Sequence, residues 1–569
     1  MTSTYESKNT SNGLTLKLYR GEGAALLAFD LAPIKATPDF VGFTIEVRYP
    51  GSSTWGALRN RLHFTYPPTS QAERTFKSTE APFQKFRWIH VPSDTPEGDF
   101  EYRVTARYMS ADGKLSENGP QVTGKISLAP QTIDGFVNVG FTRGFASSQA
   151  YANTARFKNN TKILPPHGSP AKSSLSHNMA PFEEHYKWLG FEARRLILDL
   201  LQEVESDQTL TLDALVYECK EPDILQRLER LKDRLRVVID DHDEQGEDDS
   251  CESISAQRLK ESGAQVQRMH FGRQQHNKVL IVRKRDGSAV KVLAGSTNFA
   301  LRGLYIQANN ALLFEDRIVA EKFAEVFDAY WTDPKKFKKS PLSKQWWEVR
   351  NEPESKVSVC FSPHTDNSLS LGPVAKAIAE ADSSVLYSIV FLNQLTGVVR
   401  QELEALMHRP LFSYGVAQRT SGLSVTKPDG SIGLLPFSYL AEKAPEPFKS
   451  EWNGDTTERS NMVHHKFVVT DFNGKKPTVF TGSSNLAAGG ELDNGDHLIR
   501  IEDRKIAIAY AIEALRLFDH FHFRVKIKSG EVSGPIFLAK PPTDGGQPWF
   551  ASYYIEGHYK ERDRKLFVQ

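Results

Sequence analysis

The alternation of apolar and polar residues over the first 130 positions predicts β-strands. Residues 43–49 (F-T-I-E-V-R-Y) and 102–108 (Y-R-V-T-A-R-Y) change between apolar and polar side chains at every position. This period of two is typical of strands with one buried face. Prolines and glycines between such segments favour hairpin turns. The pattern therefore predicts an all-β, sandwich-like domain of immunoglobulin or fibronectin type.

Further along the chain the pattern changes to alternating helices and strands. Helical spacing covers residues 182–204 and 225–234, while apolar runs typical of buried strands cover 210–217 and 235–240. The same rhythm begins again at 357–361, and it predicts a helix over 373–380 and a strand over 385–392. Strand–helix–strand units at this spacing favour parallel pairing in an α/β fold.

These changes divide the chain into five predicted regions. They are the β domain (1–130), a connector rich in Ser, Asn, Pro and Gly (131–180), a first α/β half (181–350), a second α/β half (351–528) and a C-terminal extension (529–569). A chain of 569 residues is too long for one hydrophobic core, which agrees with this division.

Composition and charge exclude several classes of protein. Lys and Arg number 71 and Asp and Glu 70, so no global field attracts nucleic acid or an anionic membrane. The three cysteines are far apart, which argues against a disulfide framework and a cysteine-based zinc site. No apolar run is long enough for a transmembrane segment. The expected location is the cytoplasm, or outside the cell after export without a conventional signal peptide. Peripheral contact with a membrane stays open.

A duplicated motif lies in the two predicted α/β halves. Residues 276–298 and 464–485 each contain a strand, a glycine turn, a second strand and the sequence G-S-x-N, and they align with one inserted residue. Each copy begins with H-x-K. Because strand side chains alternate between faces, the histidine and the lysine share a face, and the residue between them points the other way. His465 is therefore expected to pack or to support the site rather than to face the substrate.

Cleavage of a phosphodiester is a reaction that two copies of His, Lys and Asn can carry out. Lysines and asparagine amides stabilise the charge on the non-bridging oxygens. One neutral imidazole attacks phosphorus, while a second, protonated imidazole donates to the leaving oxygen. A metal site built from His464, His465 and Asp471 is disfavoured, because these side chains alternate between faces and the lysines repel a cation. The sequence contains neither a serine-hydrolase motif nor a P-loop.

This duplicated pattern resembles the phospholipase D superfamily over about residues 140–530. The resemblance implies two pseudo-symmetric halves, each a mixed sheet flanked by helices, whose histidines meet at the interface. It implies no metal and no cofactor. It also identifies the residues of the site, which are His276, Lys278, Ser296 and Asn298 from the first half and His464, Lys466, Ser483 and Asn485 from the second.

The two copies differ at two supporting positions. The motif aspartate is Asp471 in the second copy, whereas Arg283 stands at its equivalent in the first. Eleven residues after the motif asparagine, the family usually has a glutamate that bonds the histidine; here these residues are Asn309 and Asp496. We expect Asp496 to bond His464 and to raise its pKa, because a carboxylate favours the imidazolium. His464 is then the general acid and His276 the neutral nucleophile.

The substrate is less strongly indicated than the reaction. Aromatic residues at 346–347 and 549–550 suit a phospholipid, and basic residues at 283–285 and 335–339 suit DNA or RNA. The near-neutral net charge favours the phospholipid. The alternatives are a nuclease of the same family and, with less support, an inactive binding protein.

Overall fold

The computed structural model describes residues 5–65, 75–116, 118–128, 132–154, 156–157, 160–166, 168–419, 422–436, 445–451, 462–528, 536–543 and 545–569. The chain forms two compact units. The first consists of Met1–Pro130, Lys427–Ser431 and Phe523–Gln569, and the second of Gln131–Thr426 and Ile432–His522.

Two antiparallel four-stranded sheets build the first unit, within its described residues. Apolar side chains of both sheets share one buried core, to which Leu16, Leu27, Phe43 and Val104 belong. The predicted strand-rich N-terminal region is therefore confirmed. In spatial order the strands are Glu6–Ser11, Leu14–Gly21, Ala24–Leu31 and Arg87–His90 in one sheet, and Gln121–Ser127, Asp99–Tyr108, Phe40–Arg48 and Gly56–Ala57 in the other. Arg59–Asn60 and Phe76–Lys77 form a short separate pair.

The C-terminal residues belong to the first unit. Phe550 lies in its core, and the ring centroid of Trp549 is 5.5 Å from that of Phe40. The final helix, Tyr559–Val568, follows. Trp549 and Phe550 are therefore packing residues of this core, the ordinary alternative to a position at a substrate rim.

The second unit contains two mixed sheets with the same strand order. In the first sheet the order is Val137–Phe141, Asn310–Phe314, Ala289–Gly295, Lys278–Lys284, Leu210–Val216, Leu235–Ile239 and Gln265–Arg268. In the second sheet it is Trp347–Glu352, Ser355–Phe361, His497–Asp503, Thr478–Gly482, Lys466–Thr470, Ser384–Ile389, Phe412–Ala417 and Leu434–Pro436. Apart from the extra strand Trp347–Glu352, the sheets correspond strand for strand. The last three strands of each sheet are parallel, and the others pair antiparallel.

Helices accompany both sheets, so the predicted α/β fold class is confirmed. Those of the first half are Ser148–Asn153, Ala171–Leu175, Glu183–Ser206, Pro222–Leu231, Cys251–Glu261, Leu301–Tyr305, Arg317–Thr332 and Pro334–Phe337. Those of the second are Ser368–Glu380, Val398–Leu406, Phe448–Glu451, Ala488–Asp493 and Arg504–Lys528. Among the described residues, none of these helices combines the length and the apolar character that a membrane crossing requires.

The predicted connector is more structured than its composition indicates. Within it, Val137–Phe141 forms an edge strand of the first sheet and pairs antiparallel with Asn310–Phe314. The short apolar alternation of this segment is masked by the polar residues around it. Its strand is the counterpart of Ser355–Phe361, which pairs with His497–Asp503 in the second sheet.

Candidate functional site

The two H-x-K motifs lie at equivalent places in the two sheets and are joined by backbone hydrogen bonds. The backbone N–H of His276 donates to the carbonyl of Gly495 at 2.8 Å, and that of His464 donates to the carbonyl of Ala308 at 3.0 Å. Gly495 directly precedes Asp496, and Ala308 directly precedes Asn309. The backbone of each histidine is thus bonded next to the supporting residue of the other half. This reciprocal bonding brings the motifs together.

Side-chain hydrogen bonds follow the same crossed arrangement. Nδ1 of His276 lies 2.8 Å from Oδ1 of Asp496, and Nδ1 of His464 lies 2.9 Å from Oδ1 of Asn309. The expectation that Asp496 would bond His464 and raise its pKa is therefore wrong, and it gives no ground for making His464 the general acid. Equal spacing in the two copies does not reveal that each supporting residue reaches across to the histidine of the other half.

The motif serines fix these supporting residues. Oγ of Ser296 donates to Oδ1 of Asn309 at 2.9 Å and accepts from the backbone N–H of Asn310 at 3.0 Å. Oγ of Ser483 accepts from the backbone N–H of His497 at 3.0 Å. Both serines are fully buried. Their hydroxyl groups thus bond residues beside His464 and His276, and these contacts do not involve the two histidine rings.

Both motif lysines are buried beside the histidines. Nζ of Lys278 donates to the carbonyl of His276, and Nζ of Lys466 donates to the carbonyl of His464 at 2.8 Å. Nζ of Lys466 also lies 3.2 Å from each ring nitrogen of His464. Burial lowers the pKa of Lys278 to about 7. The site therefore presents buried positive charge, which an anion would stabilise.

Both imidazoles are neutral at neutral pH in the substrate-free site. Burial and then the charge of Lys278 lower the pKa of His276 to about 4, although Asp496 opposes this change. Burial, Lys466 and Lys278 lower the pKa of His464 well below its usual value. A bound phosphodiester would counter the lysines, and it would raise both histidine pKa values.

The carboxylate beside His276 stays ionised although it is buried. Burial on its own raises the pKa of Asp496, but His276 and then Lys278 bring it below its ordinary value. Oδ2 of Asp496 is buried without a hydrogen-bond partner among the described residues. His276 thus has an anionic partner, whereas His464 has a neutral amide.

The motif asparagines follow the strands next to the H-x-K strands. Nδ2 of Asn298 donates to Oε2 of Glu218 at 2.6 Å. Oδ1 of Asn298 and Oδ1 of Asn485 are buried and have no partner within the described ranges. Glu218 was not predicted as a site residue, because a single glutamate after a strand has no distinguishing pattern.

Tyr217 and His497 also belong to the surroundings of the site and were not predicted. The Tyr217 ring meets the His276 ring edge-on, with 4.8 Å between centroids. Nδ1 of His497 lies 2.8 Å from Oδ1 of Asn277, and its Nε2 accepts from the backbone N–H of Gly295 at 3.2 Å. His497 therefore anchors the backbone next to Asp496. A sequence signal for His497 does exist. It directly follows Asp496, and the residue that it contacts, Asn277, is the middle residue of the first H-x-K motif.

His465 lies away from the chemistry, as strand alternation predicts. Its side chain is fully buried, and Nε2 is 3.0 Å from Oε1 of Glu513. Glu513 also forms an ion pair of 2.7 Å with Arg516. His465 is thus part of a buried polar network that joins a strand to the helix Arg504–Lys528.

Asp471, which was predicted as a substrate-binding or supporting residue, bonds backbone groups at the start of a neighbouring strand. Its Oδ1 accepts hydrogen bonds from the backbone N–H groups of Ser383 at 2.7 Å and Ser384 at 3.1 Å. Its first-half equivalent, Arg283, binds Asp213 at 2.5 Å and Asp328 at 2.9 Å. Both side chains fasten the far end of the H-x-K strand, by different chemistry. Arg283 is therefore engaged in ion pairs and does not contribute to a basic surface.

The described residues contain no group of three or more His, Cys, Asp or Glu side chains arranged to hold a metal ion.

Comparisons with known proteins found one family model and several solved structures that are similar to parts of this chain. Residues 201–331 match the family model described as "Cardiolipin synthase, PLD-like domain". Among solved structures, polyphosphate kinase from Porphyromonas gingivalis is 12% identical with a TM-score of 0.38, and the match covers 67% of this chain and 54% of that one. Phosphatidylserine synthase from Haemophilus influenzae is 12% identical with a TM-score of 0.40, and the match covers 57% of this chain and 84% of that one. Nuc from Salmonella typhimurium is 26% identical with a TM-score of 0.20, covering 24% and 86%. No curated protein matches.

Residues 201–331 therefore form a phospholipase D-like domain, and they contain the first H-x-K motif. Over these residues the resemblance to the phospholipase D superfamily is confirmed.

Proposed function

We propose that this protein cleaves a phosphodiester through a covalent phosphohistidine on His276, with His464 as general acid and then general base. The observation that carries the proposal is the unequal support of the two histidines. His276 bonds the carboxylate of Asp496 at 2.8 Å, and His464 bonds the amide of Asn309 at 2.9 Å. A carboxylate stabilises the positive charge that an imidazole gains when it attacks, and an amide does so much less.

In the first step Nε2 of His276 attacks phosphorus. A neutral imidazole carries one proton. In His276 this proton is on Nδ1, which donates a hydrogen bond to Asp496, so the lone pair of Nε2 is free. A P–N bond forms and the bond from phosphorus to the leaving oxygen breaks. That oxygen takes a proton from His464, which the substrate anion has helped to protonate. The products are an alcohol and a phosphorylated His276.

In the second step water replaces the histidine. Neutral His464 accepts a proton from the water as its oxygen attacks phosphorus. The P–N bond breaks, and a phosphomonoester leaves. His276 returns to its neutral form, and the proton taken up in this step restores protonated His464. An alcohol in place of water would give a new phosphodiester by the same route.

The remaining motif residues stabilise the transition state. Lys278 and Lys466 are each at most 1% exposed, so their charges act in a medium with little water. They and the amides of Asn298 and Asn485 would bind the non-bridging oxygens, where negative charge accumulates.

A phospholipid is the proposed substrate. The matching family model bears the name of cardiolipin synthase, and the net charge of +1 provides no general attraction for nucleic acid. Among the basic residues that suited a nuclease, Arg283 forms ion pairs with Asp213 and Asp328. Lys338 donates to the carbonyl of Leu492 at 2.7 Å.

The experiment compares wild-type protein with His464→Ala on phospholipid vesicles and, separately, on single- and double-stranded DNA. The exposed His408 provides the matched control, His408→Ala. Release of phosphatidic acid that His464→Ala abolishes and His408→Ala retains supports the proposal. DNA cleavage with the same dependence would support a nuclease instead, and inactivity on both substrates would support a binding protein.

A further inference from the structure

Glu218 brings a carboxylate to the edge of the H-x-K site. It lies two residues after the strand Leu210–Val216, which pairs with the strand of Lys278. Its Oε2 accepts the hydrogen bond from Asn298, and its Oε1 lies 2.5 Å from Nζ of Lys220. Its side chain is 18% exposed, and Lys278 of the site is close enough to lower its pKa.

The second half has no carboxylate at the corresponding place. Val216 is opposite Lys278 in the first sheet, and Ile389 is opposite Lys466 in the second. Glu218 therefore corresponds to Phe391. Since the H-x-K and G-S-x-N residues are the same in both halves, this difference makes the surroundings of the two motifs chemically unequal.

The charge of Glu218 is maintained by its neighbours. Burial on its own raises the pKa of Glu218, but Lys220, Lys278 and Arg302 bring it below its ordinary value. A carboxylate has about four lone-pair sites, so oxygens that each hold one donor can accept another. Glu218 can therefore accept a further hydrogen bond from a positively charged donor.

An acidic segment continues this negative charge beyond Glu218. Residues 240–252 contain eight Asp or Glu residues and no Lys or Arg. They follow the strand Leu235–Ile239, which runs parallel to Leu210–Val216, so both segments leave the sheet at the same edge. Glu252, at the end of the acidic segment, lies 3.8 Å from Lys220.

We propose that Glu218 determines specificity by binding an ammonium group on the alcohol part of the substrate. This inference rests on the proposed phosphodiester cleavage. The substrate class that fits is a zwitterionic phosphodiester, in which the phosphate binds the lysines and the amine binds Glu218. A polynucleotide fits less well, because its phosphodiesters carry no ammonium group for Glu218.

The test uses Glu218→Gln, which keeps an oxygen acceptor for Asn298 and removes the charge. Initial rates are measured on vesicles containing phosphatidylethanolamine or phosphatidylglycerol, and on glycerophosphoethanolamine and glycerophosphoglycerol in solution. Bis(4-nitrophenyl) phosphate reports the phosphoryl chemistry without an amine. Glu247→Gln removes an equal charge from an exposed position of the acidic segment and is the matched control.

We expect the wild-type protein to prefer the ethanolamine esters. Glu218→Gln should lower kcat/KM on these esters by about tenfold or more, the scale of a lost hydrogen bond to a charged group. Rates on the glycerol esters and on bis(4-nitrophenyl) phosphate should fall much less, because there Glu218 only helps to keep Lys278 protonated. Glu247→Gln should retain the preference. A preference confined to vesicles would assign the ammonium to a lipid, and one also present in solution would extend it to soluble esters.

Two results would overturn the inference while the proposed function stands. One is a wild-type protein that cleaves bis(4-nitrophenyl) phosphate without preferring the amine. The other is an equal loss on all substrates in Glu218→Gln, which would make Glu218 a positioning residue for Asn298. A wild-type protein that cleaves none of these phosphodiesters would instead refute the proposed function, and the inference with it.

Discussion

Asp496 of the second half holds His276 of the first half, with Oδ1 2.8 Å from Nδ1. The reciprocal contact, from Asn309 to His464, has nearly the same length but no charge. The interface of the two halves thus gives two equivalent histidines different electrostatic partners. In the proposed mechanism this difference, rather than the motifs themselves, distinguishes the nucleophile from the acid.

Asp496→Asn should slow the attack of His276 on phosphorus by at least about 100-fold, because the carboxylate that orients and stabilises the imidazole is lost. The measurement is the first-turnover burst of nitrophenolate from bis(4-nitrophenyl) phosphate. This leaving group needs little protonation, so His464→Ala should retain the burst and lose later turnovers. An unchanged burst in Asp496→Asn, with normal folding by circular dichroism, would contradict the assignment.

The pH dependence of the second-order rate constant for the first-turnover burst on bis(4-nitrophenyl) phosphate, whose leaving group needs little protonation from His464, should have two limbs. Below about pH 4 His276 becomes protonated and can no longer attack, because its pKa is lowered to about 4. Above about pH 7 Lys278 loses its proton, because burial lowers its pKa to about 7 and disfavours the charged form. Substrate binding then weakens as pH rises. In Lys278→Arg the alkaline limb should move upward, since guanidinium stays charged in this range; a limb that stays near pH 7 would exclude Lys278 as its source.

Replacing His465 by alanine should mainly reduce stability, whereas replacing the adjacent His464 should mainly reduce activity. His465→Ala should reduce the free energy of unfolding by roughly 2–4 kcal/mol, because it empties a buried position and removes a bond to the Glu513 carboxylate. His464→Ala should change stability much less, because it relieves a neutral ring crowded by lysines, and it should abolish turnover. Urea denaturation and activity assays of both variants test this. Equal loss of stability in both would contradict the separation of roles.

Asp471→Ala should weaken the fold and leave the chemistry of the folded protein intact. The side chain accepts backbone hydrogen bonds from Ser383 and Ser384, and losing them should cost roughly 2–4 kcal/mol. Thermal unfolding gives the stability, and kcat per folded molecule is measured well below the melting temperature. A fall in kcat like that of His464→Ala would place Asp471 in the reaction after all.

The sequence predicts local periodicity and duplication well, because strands, helices and the H-x-K repeat are properties of neighbouring residues. It also predicts that His465 turns away from His464, since alternation in a strand is local. The partner of each histidine depends on how the halves meet, and the expectation for Asp496 failed on that point. Glu218 is likewise recognisable only beside Asn298 in the folded chain. The short strand Val137–Phe141 was missed because its polar surroundings obscure its pattern.

The most direct test of the central claim is to locate the covalent intermediate. His464→Ala is mixed with bis(4-nitrophenyl) phosphate, quenched in base to preserve the P–N bond, digested and mapped by mass spectrometry. His276→Ala is treated in parallel. The account predicts one adduct, on His276 in the first protein, and none in the second. An adduct on His464 of the wild-type protein or of His276→Ala, or turnover without any phosphohistidine, would contradict it.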